Sequence, residues 1–96
     1  MILEFDYFKV MRQVHQLRDL SESLKKELKK IENMENSLGS SWSSDAASVF
    51  RSKLHESKRK LKFECSKLDY LADTIEELAR RLKKADDSAI RAVKSL

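Results

Sequence analysis

Apolar residues recur at every seventh position in two long stretches of the chain. The first series is Leu3, Val10, Leu17, Leu24, Ile31 and Leu38, and the second is Ala47, Leu54, Leu61, Leu68, Ile75, Leu82, Ala89 and Leu96. A seven-residue repeat places one apolar stripe along the side of an α-helix, so each series predicts one amphipathic helix. The sequence has no proline, and its only glycine, Gly39, falls between the two series.

The break between the series predicts that the two helices fold back on each other. Gly39 can close the first helix, because glycine readily adopts the left-handed conformation found after helix ends. Asp45 lies in the first turn of the second helix, where a negative charge is favourable. We therefore expect an all-α fold, with one antiparallel hairpin domain over 1–96. Its expected parts are a helix over about 6–37, a turn over about 38–44, a helix over about 45–90 and a frayed C-terminal tail.

The heptad pattern assigns letters a to g to each helix, with Val10 and Leu61 at position a. Rows a, d and e form an apolar arc about 100° wide, which suits packing inside a bundle. A two-helix hairpin cannot enclose both arcs, and small helical scaffolds gain the missing burial by association. We therefore expect the hairpin to associate into a four-helix bundle. The predicted bundle interface consists of Val10, Leu17, Leu24, Leu28, Ile31, Leu54, Leu61, Leu68, Ile75 and Leu82.

Phe63 and Tyr70 fall outside this arc, at position c, about 130° from its a/d centre. They stand one heptad apart on the same helix. That spacing predicts a second partner face. The alternative is that they are scattered exposed apolar residues, which are common on protein surfaces and need no partner.

Basic residues are concentrated in the second half of the chain. The net charge is +4, and the densest basic run covers residues 58–62. Such a run can bind nucleic acid or an anionic membrane, which gives a basic coiled-coil adaptor as an alternative function. We favour a solvated helix flank and no nucleic-acid partner, because Leu61 continues the heptad through the run. Acids also interrupt the bases, at Glu56, Glu64, Asp69 and Asp73.

The residue sets that catalysis or a metal ion requires are missing from the sequence. Cys65 is the only cysteine, and His15 and His55 are the only histidines. Together they make a poor ligand set for a metal. The adjacent acids Glu76 and Glu77 point to different sides of a helix and cannot act as one pair. We predict a protein that is not an enzyme and that needs no cofactor.

The sequence also gives no sign of a membrane-spanning or cleaved targeting segment. No apolar run reaches the roughly 18 residues that a spanning helix needs. Residues 1–6 lack the basic and apolar regions of a cleaved signal peptide. We expect a cytoplasmic protein without membrane insertion. Any export, including export together with a partner, would need a route that accepts folded proteins.

Around the break, Leu38 precedes Trp42 by four residues, and Ala46, Ala47 and Phe50 follow it. This spacing, within two heptad helices and about a hundred residues, resembles the WxG helical-hairpin (Esx-like) proteins of type VII secretion systems. In that family, found in Gram-positive bacteria and mycobacteria, two hairpins pair antiparallel as a four-helix bundle. The resemblance implies turn roles for Gly39, Trp42, Ala46, Ala47 and Phe50.

Two positions depart from the family pattern. Ser43 and Ser44 follow Trp42, so serine replaces the family's glycine. The family's export signal is a tyrosine or phenylalanine four residues before an acid near the end of the second helix. Here Leu82 precedes Asp86 at that distance, so the pair is a degenerate signal position.

The departures favour one role within the resembled family over another. Some small WxG-like proteins are encoded beside LXG-domain toxins, and they bind the toxin's helical N-terminal domain to make it competent for export. We predict that this chain is such a targeting partner or chaperone. The alternative within the family is a self-associating secreted homodimer.

Overall fold

The protein forms two long α-helices that lie side by side in opposite directions. The computed structural model describes residues 5–38 and 45–96, with α1 at Tyr7–Leu38 and α2 at Asp45–Lys94. Cross-helix contacts establish the directions. Arg18 in the first half of α1 contacts Glu76 in the second half of α2, whereas Glu35 near the end of α1 contacts Lys58 near the start of α2. The predicted all-α hairpin is confirmed.

The second helix is longer than the sequence predicted. It continues to Lys94, a few residues beyond the approximate end at residue 90 that the sequence predicted. No glycine or proline stops the helix there. Its last turn carries Arg91 and Lys94, whose positive charges interact favourably with the C-terminal end of the helix dipole.

The hairpin is a thin rod without an enclosed core. It extends 79 × 15 × 14 Å and has a radius of gyration of 22.2 Å. A compact chain of this length would have a radius of gyration of about 12–13 Å. Burial is therefore limited to the strip where the two helices touch, and each apolar arc keeps a side that faces solvent.

This strip of contact, called the seam below, is lined mainly by small side chains. Among the described residues, those buried in the seam are Val14, Ser21, Ala47, Cys65, Ala72 and Ala79. Apart from Ala47, which is at position a, all of them occupy position e of their helix. Small side chains at e let the two helices approach closely. The larger leucines of rows a and d consequently lie beside the seam or outside it.

Candidate partner-binding face

Large side chains at position d of both helices form an exposed apolar face along one side of the hairpin. Antiparallel helices place the same heptad letters on the same side of their contact, so both d rows border one face. Its members are 43–52% exposed, and we call them the apolar face: Leu20, Met34, Phe50, Leu71 and Leu78. Glu27 and Glu64 also occupy d and divide the face into two apolar stretches. Exposed apolar side chains grouped in this way mark an interaction site rather than scattered exposure.

At the end of the hairpin that holds the start of α1, the apolar face deepens into a groove. The groove has a volume of about 190 Å³ and is lined by Phe5, Val10, Ile75, Leu78, Ala79 and Leu82. All six lining residues in the described part of the chain are apolar. The groove can therefore accept apolar side chains from a second chain, as pockets for interface anchors do.

Nine of the ten residues predicted for the bundle interface are at position a, between the seam and the apolar face, and Leu28 is at position e, in the row of the seam. Leu82 is 42% exposed. The other nine are half-buried: Val10, Leu17, Leu24, Leu28, Ile31, Leu54, Leu61, Leu68 and Ile75. Every one of the ten thus keeps surface that a second chain can cover. Their role in a bundle stays a prediction.

The predicted turn residues fall only partly within the described part of the chain. Gly39 and Trp42 lie outside the described residues. Ala47 is 1% exposed and sits in the seam, whereas Ala46 beside it is exposed. Phe50 belongs to the apolar face. Of the two adjacent alanines, Ala47 thus packs in the seam and Ala46 faces solvent. Phe50 lies on the face that a partner would contact.

Phe63 and Tyr70 lie on the outer side of α2, at position c, away from both the seam and the apolar face. They are 63% and 74% exposed. The Lys67 ammonium lies 5.0 Å from the centre of the Phe63 ring, an exposed cation–π contact of about 0.5–1 kcal/mol. The aromatics are open to a partner, and a second partner face here stays a prediction.

Charged contacts occupy the side of the hairpin opposite the apolar face. The Arg18 guanidinium lies 2.8 Å from the Glu76 carboxylate, and the Lys25 ammonium lies 3.0 Å from Asp69. The Ser21 hydroxyl donates a hydrogen bond of 2.7 Å to Asp69, which satisfies the polar group buried in the seam. The four charged residues occupy position b. One side of the hairpin is thus bridged by ion pairs, and the other is open.

Two carboxylates on this charged side are held in their ionised form. The Ser21 hydroxyl and the Lys25 ammonium lower the pKa of Asp69. Hydrogen bonds from Arg18 and Arg80 lower the pKa of Glu76. Both carboxylates therefore stabilise the hairpin only while they are ionised.

We expect the hairpin to lose stability in acid. Because the pKa of Asp69 is lower in the folded than in the unfolded chain, its stabilising effect is complete above the ordinary carboxyl pKa of about 4. It is lost as the pH falls from there through the folded pKa. Thermal unfolding followed by circular dichroism should show a midpoint that drops below about pH 4, and Asp69→Asn should flatten the drop. A midpoint that is equal at about pH 5 and pH 3 would contradict this expectation.

Leu82 and Asp86, at the position of the family's export signal, differ in exposure. Leu82 is 42% exposed and borders the groove. Asp86 follows Ala79 along row e and is half-buried, and one of its carboxylate oxygens is buried without a hydrogen-bond partner. The two side chains are therefore not displayed together on an open surface.

The g rows border the apolar face on its outer edges, and their charged residues are all bases. We call these residues the basic edge: Lys9, Lys30, Lys53, Lys60, Lys67 and Arg81. The acids that interrupt the bases along the sequence belong to other rows, with Glu56 at c, Glu64 at d, Asp69 at b and Asp73 at f. This pattern is hidden in the order of residues along the chain, where acids and bases are interspersed. A count of charges row by row would have found it.

Other kinds of site find little support in the described part of the chain. No group of histidine, cysteine, aspartate or glutamate residues within 5–38 and 45–96 could hold a metal ion. No helix there is long and apolar enough to cross a membrane. A polar depression near the turn is lined by Glu35, Asn36, Arg51 and His55. The apolar face therefore remains the main candidate site.

The fold and this face define a class: a small helical hairpin with one ion-paired side and one apolar side open to another helical chain. The model of the family described as "Proteins of 100 residues with WXG" matches residues 3–87. Since the match covers most of the chain, the protein belongs to this family, WXG100. No curated protein and no solved structure matches the chain.

Family membership places the protein among the small helical proteins associated with type VII secretion. WXG100 proteins typically self-associate or pair with other helical proteins, and the type VII system secretes them without a signal peptide. The resemblance around Trp42 is thus confirmed at the level of the family. The match does not distinguish the members that accompany LXG toxins, so that role stays a prediction.

Proposed function

We propose that the protein is a non-enzymatic targeting partner that binds the helical domain of a type VII effector, of the LXG toxin type, for export. The apolar face carries this proposal. Leu20, Met34, Phe50, Leu71 and Leu78 repeat along the hairpin at helical spacing and are about half exposed. A second helical pair laid against them would complete a four-helix bundle.

The size of the apolar face indicates how a partner must bind. Covering its five large side chains, which are about half exposed, contributes roughly 5 kcal/mol at the usual transfer free energy per area. Association itself costs about 4–15 kcal/mol. A contact with a few residues is therefore too weak. A stable partner must also cover the half-buried a row along most of the rod, which an elongated helical domain can do.

The Leu82–Asp86 pair indicates which chain supplies the export signal. The resembled family presents an aromatic ring and an acid together, whereas here the ring is replaced by leucine and Asp86 is half-buried. We propose that the effector supplies the aromatic-plus-acid element. This chain would then act by holding the effector's helices in a folded bundle.

The experiment uses the type VII effector that the proposal expects to be encoded beside this chain, and follows its secretion in the native host. We expect its helical N-terminal domain to co-purify with the chain in equal amounts, because the apolar face needs one helical pair to cover it. Deleting the chain should stop export of the effector, whereas Asp86→Ala should leave most export intact. Export of an unrelated type VII substrate serves as the control and should not change.

Two outcomes would contradict the proposal in different ways. Normal effector export without the chain would refute the targeting role. Loss of export with Asp86→Ala, while the purified complex still forms, would show that Leu82 and Asp86 are a working signal in this chain.

A further inference from the structure

We infer that the apolar face selects a helical partner with acidic edges and disfavours a second copy of this chain. The inference rests on the proposed function and adds the chemistry of the partner. Its basis is the position of the basic edge beside the apolar face, together with the absence of acids from the g rows.

The geometry of the hairpin places the g rows at both outer margins of the apolar face. In each helix the seam lies on the e side, and row d is turned about 100° from it, towards the open face. Row g follows d by about 60° further, so it borders that face on the side away from the seam. A helical chain that covers the apolar face must bring its own flanking rows close to the two g rows, as flanking rows do in bundles.

The basic edge differs from the other polar rows because its charged residues are all bases. Each of rows b, c, d, e and f includes at least one acid, for example Glu76, Glu56, Glu64, Asp86 and Asp73. The g rows include none, and they are basic on both helices. The bases also recur along α2 at intervals of about 10 Å or twice that, since one heptad rises about 10 Å. A partner helix with acids at the same repeat would meet them one by one.

Four of the six bases already contact an acid of their own helix. The pairs are Lys30 with Glu27, Lys60 with Glu56, Lys67 with Glu64 and Arg81 with Glu77. Such exposed pairs within one helix contribute only about 0.3–0.5 kcal/mol, and the contact of Lys67 with the Phe63 ring adds about 0.5–1 kcal/mol at that one base. The bases can therefore contact a carboxylate of a partner at little cost. Lys9 and Lys53 have no such acid among the contacts of the described residues.

In a homodimer formed through the apolar faces, the basic edge of one hairpin would lie against the basic edge of the other. Two hairpins joined through their apolar faces bring the same margins together, and like charges facing each other across an interface disfavour that pairing. A partner with acidic margins removes this mismatch.

The test uses a second form of this chain as the acidic probe. The triple variant Lys53→Glu, Lys60→Glu and Arg81→Glu turns three positions of the basic edge acidic and leaves the apolar face unchanged. Each reversal changes the charge by two units, so the net charge falls from +4 to −2. We expect wild type and this variant to form a mixed complex at least tenfold tighter than the wild-type homodimer, measured by sedimentation equilibrium at low salt. The difference should shrink at high salt, because screening weakens exposed charge pairs.

A matched control separates the basic edge from net charge. Arg59→Glu, Lys62→Glu and Lys84→Glu give the same net charge but change rows f, b and c, and all three residues are exposed. This control should bind wild type no more than about threefold tighter than wild type binds itself. Circular dichroism of both triple variants should show unchanged helicity, because i to i+4 charge pairs alter helix stability only slightly.

The outcomes separate this inference from the proposed function. Equal affinity of wild type for itself and for the acidic-edge variant, or equal binding of the two triple variants, overturns the inference even if the effector still binds. A refuted targeting role leaves the acidic-edge result valid as a property of the face. Sub-micromolar binding of a fluorescent DNA duplex at physiological salt, lost in the acidic-edge variant, would assign the basic edge to nucleic acid and overturn the inference.

Discussion

Leu71→Asp together with Leu78→Asp is expected to abolish binding of the helical partner without unfolding the hairpin. Both leucines belong to the apolar face and are 45% and 52% exposed, so they contribute little to the seam. A buried interface anchor contributes about 2 kcal/mol or more, and a charge in its place adds the cost of desolvation. We expect the affinity for the effector's helical domain to fall at least about 100-fold, measured by calorimetry.

Phe63→Asp together with Tyr70→Asp is the matched control for this prediction. It introduces the same two charges on the same helix, at aromatics that are even more exposed but lie outside the apolar face. We expect affinity to change less than about threefold, as for residues outside an interface. If this control loses binding and the leucine variant keeps it, the partner uses the second face instead.

Ala72→Leu together with Ala79→Leu is expected to open the hairpin. The two alanines are 0% and 2% exposed in the seam, so a larger side chain at either position would push the two helices apart. Overpacking a close contact costs about 1–3 kcal/mol per site, so the pair should remove most of the stability of so small a fold. Urea unfolding followed by circular dichroism should show a much lower midpoint, although alanine and leucine are both good helix formers.

Ala89→Leu provides the control for the seam. Lys83 lies over the ring of Tyr7 at the start of α1, so Ala89 lies beyond the contact between α1 and α2, and it is exposed. Its replacement should leave the urea midpoint unchanged. A seam variant as stable as this control would show that the helices do not pack through row e.

Heptad spacing predicted the two helices well, because a long uninterrupted apolar repeat without proline has few other solutions. The repeat alone leaves open which side of the apolar arc packs against the other helix, although the small residues Cys65, Ala72 and Ala79 at position e favour close approach there. The a row lies at the centre of the arc, and the large d leucines compete with the small e residues for the contact. Ala72 and Ala79 lie in the seam because small side chains permit the closer approach. The d leucines therefore remain outside.

The same reason explains what the sequence could not show about polar residues. Ser21 at position e looks like an interruption of the apolar arc, yet it is 1% exposed and bonded to Asp69. Burial of a hydroxyl is tolerable only with such a partner, and the partner lies 48 positions away in the chain. Contacts across the hairpin depend on the register of the two helices, which neither helix specifies alone.

The rod shape of the hairpin also affects how its mass is measured. A compact protein would reach a radius of gyration of 22.2 Å only at roughly four to five times this chain length. On a gel-filtration column calibrated with globular standards, the single chain will therefore elute at the volume of a larger protein. Its apparent mass will exceed its true mass and will resemble that of an oligomer. Pairing side by side adds mass but little length, so the elution volume will change less than the mass does. Light scattering, which reports mass independently of shape, will separate the free hairpin from its complexes.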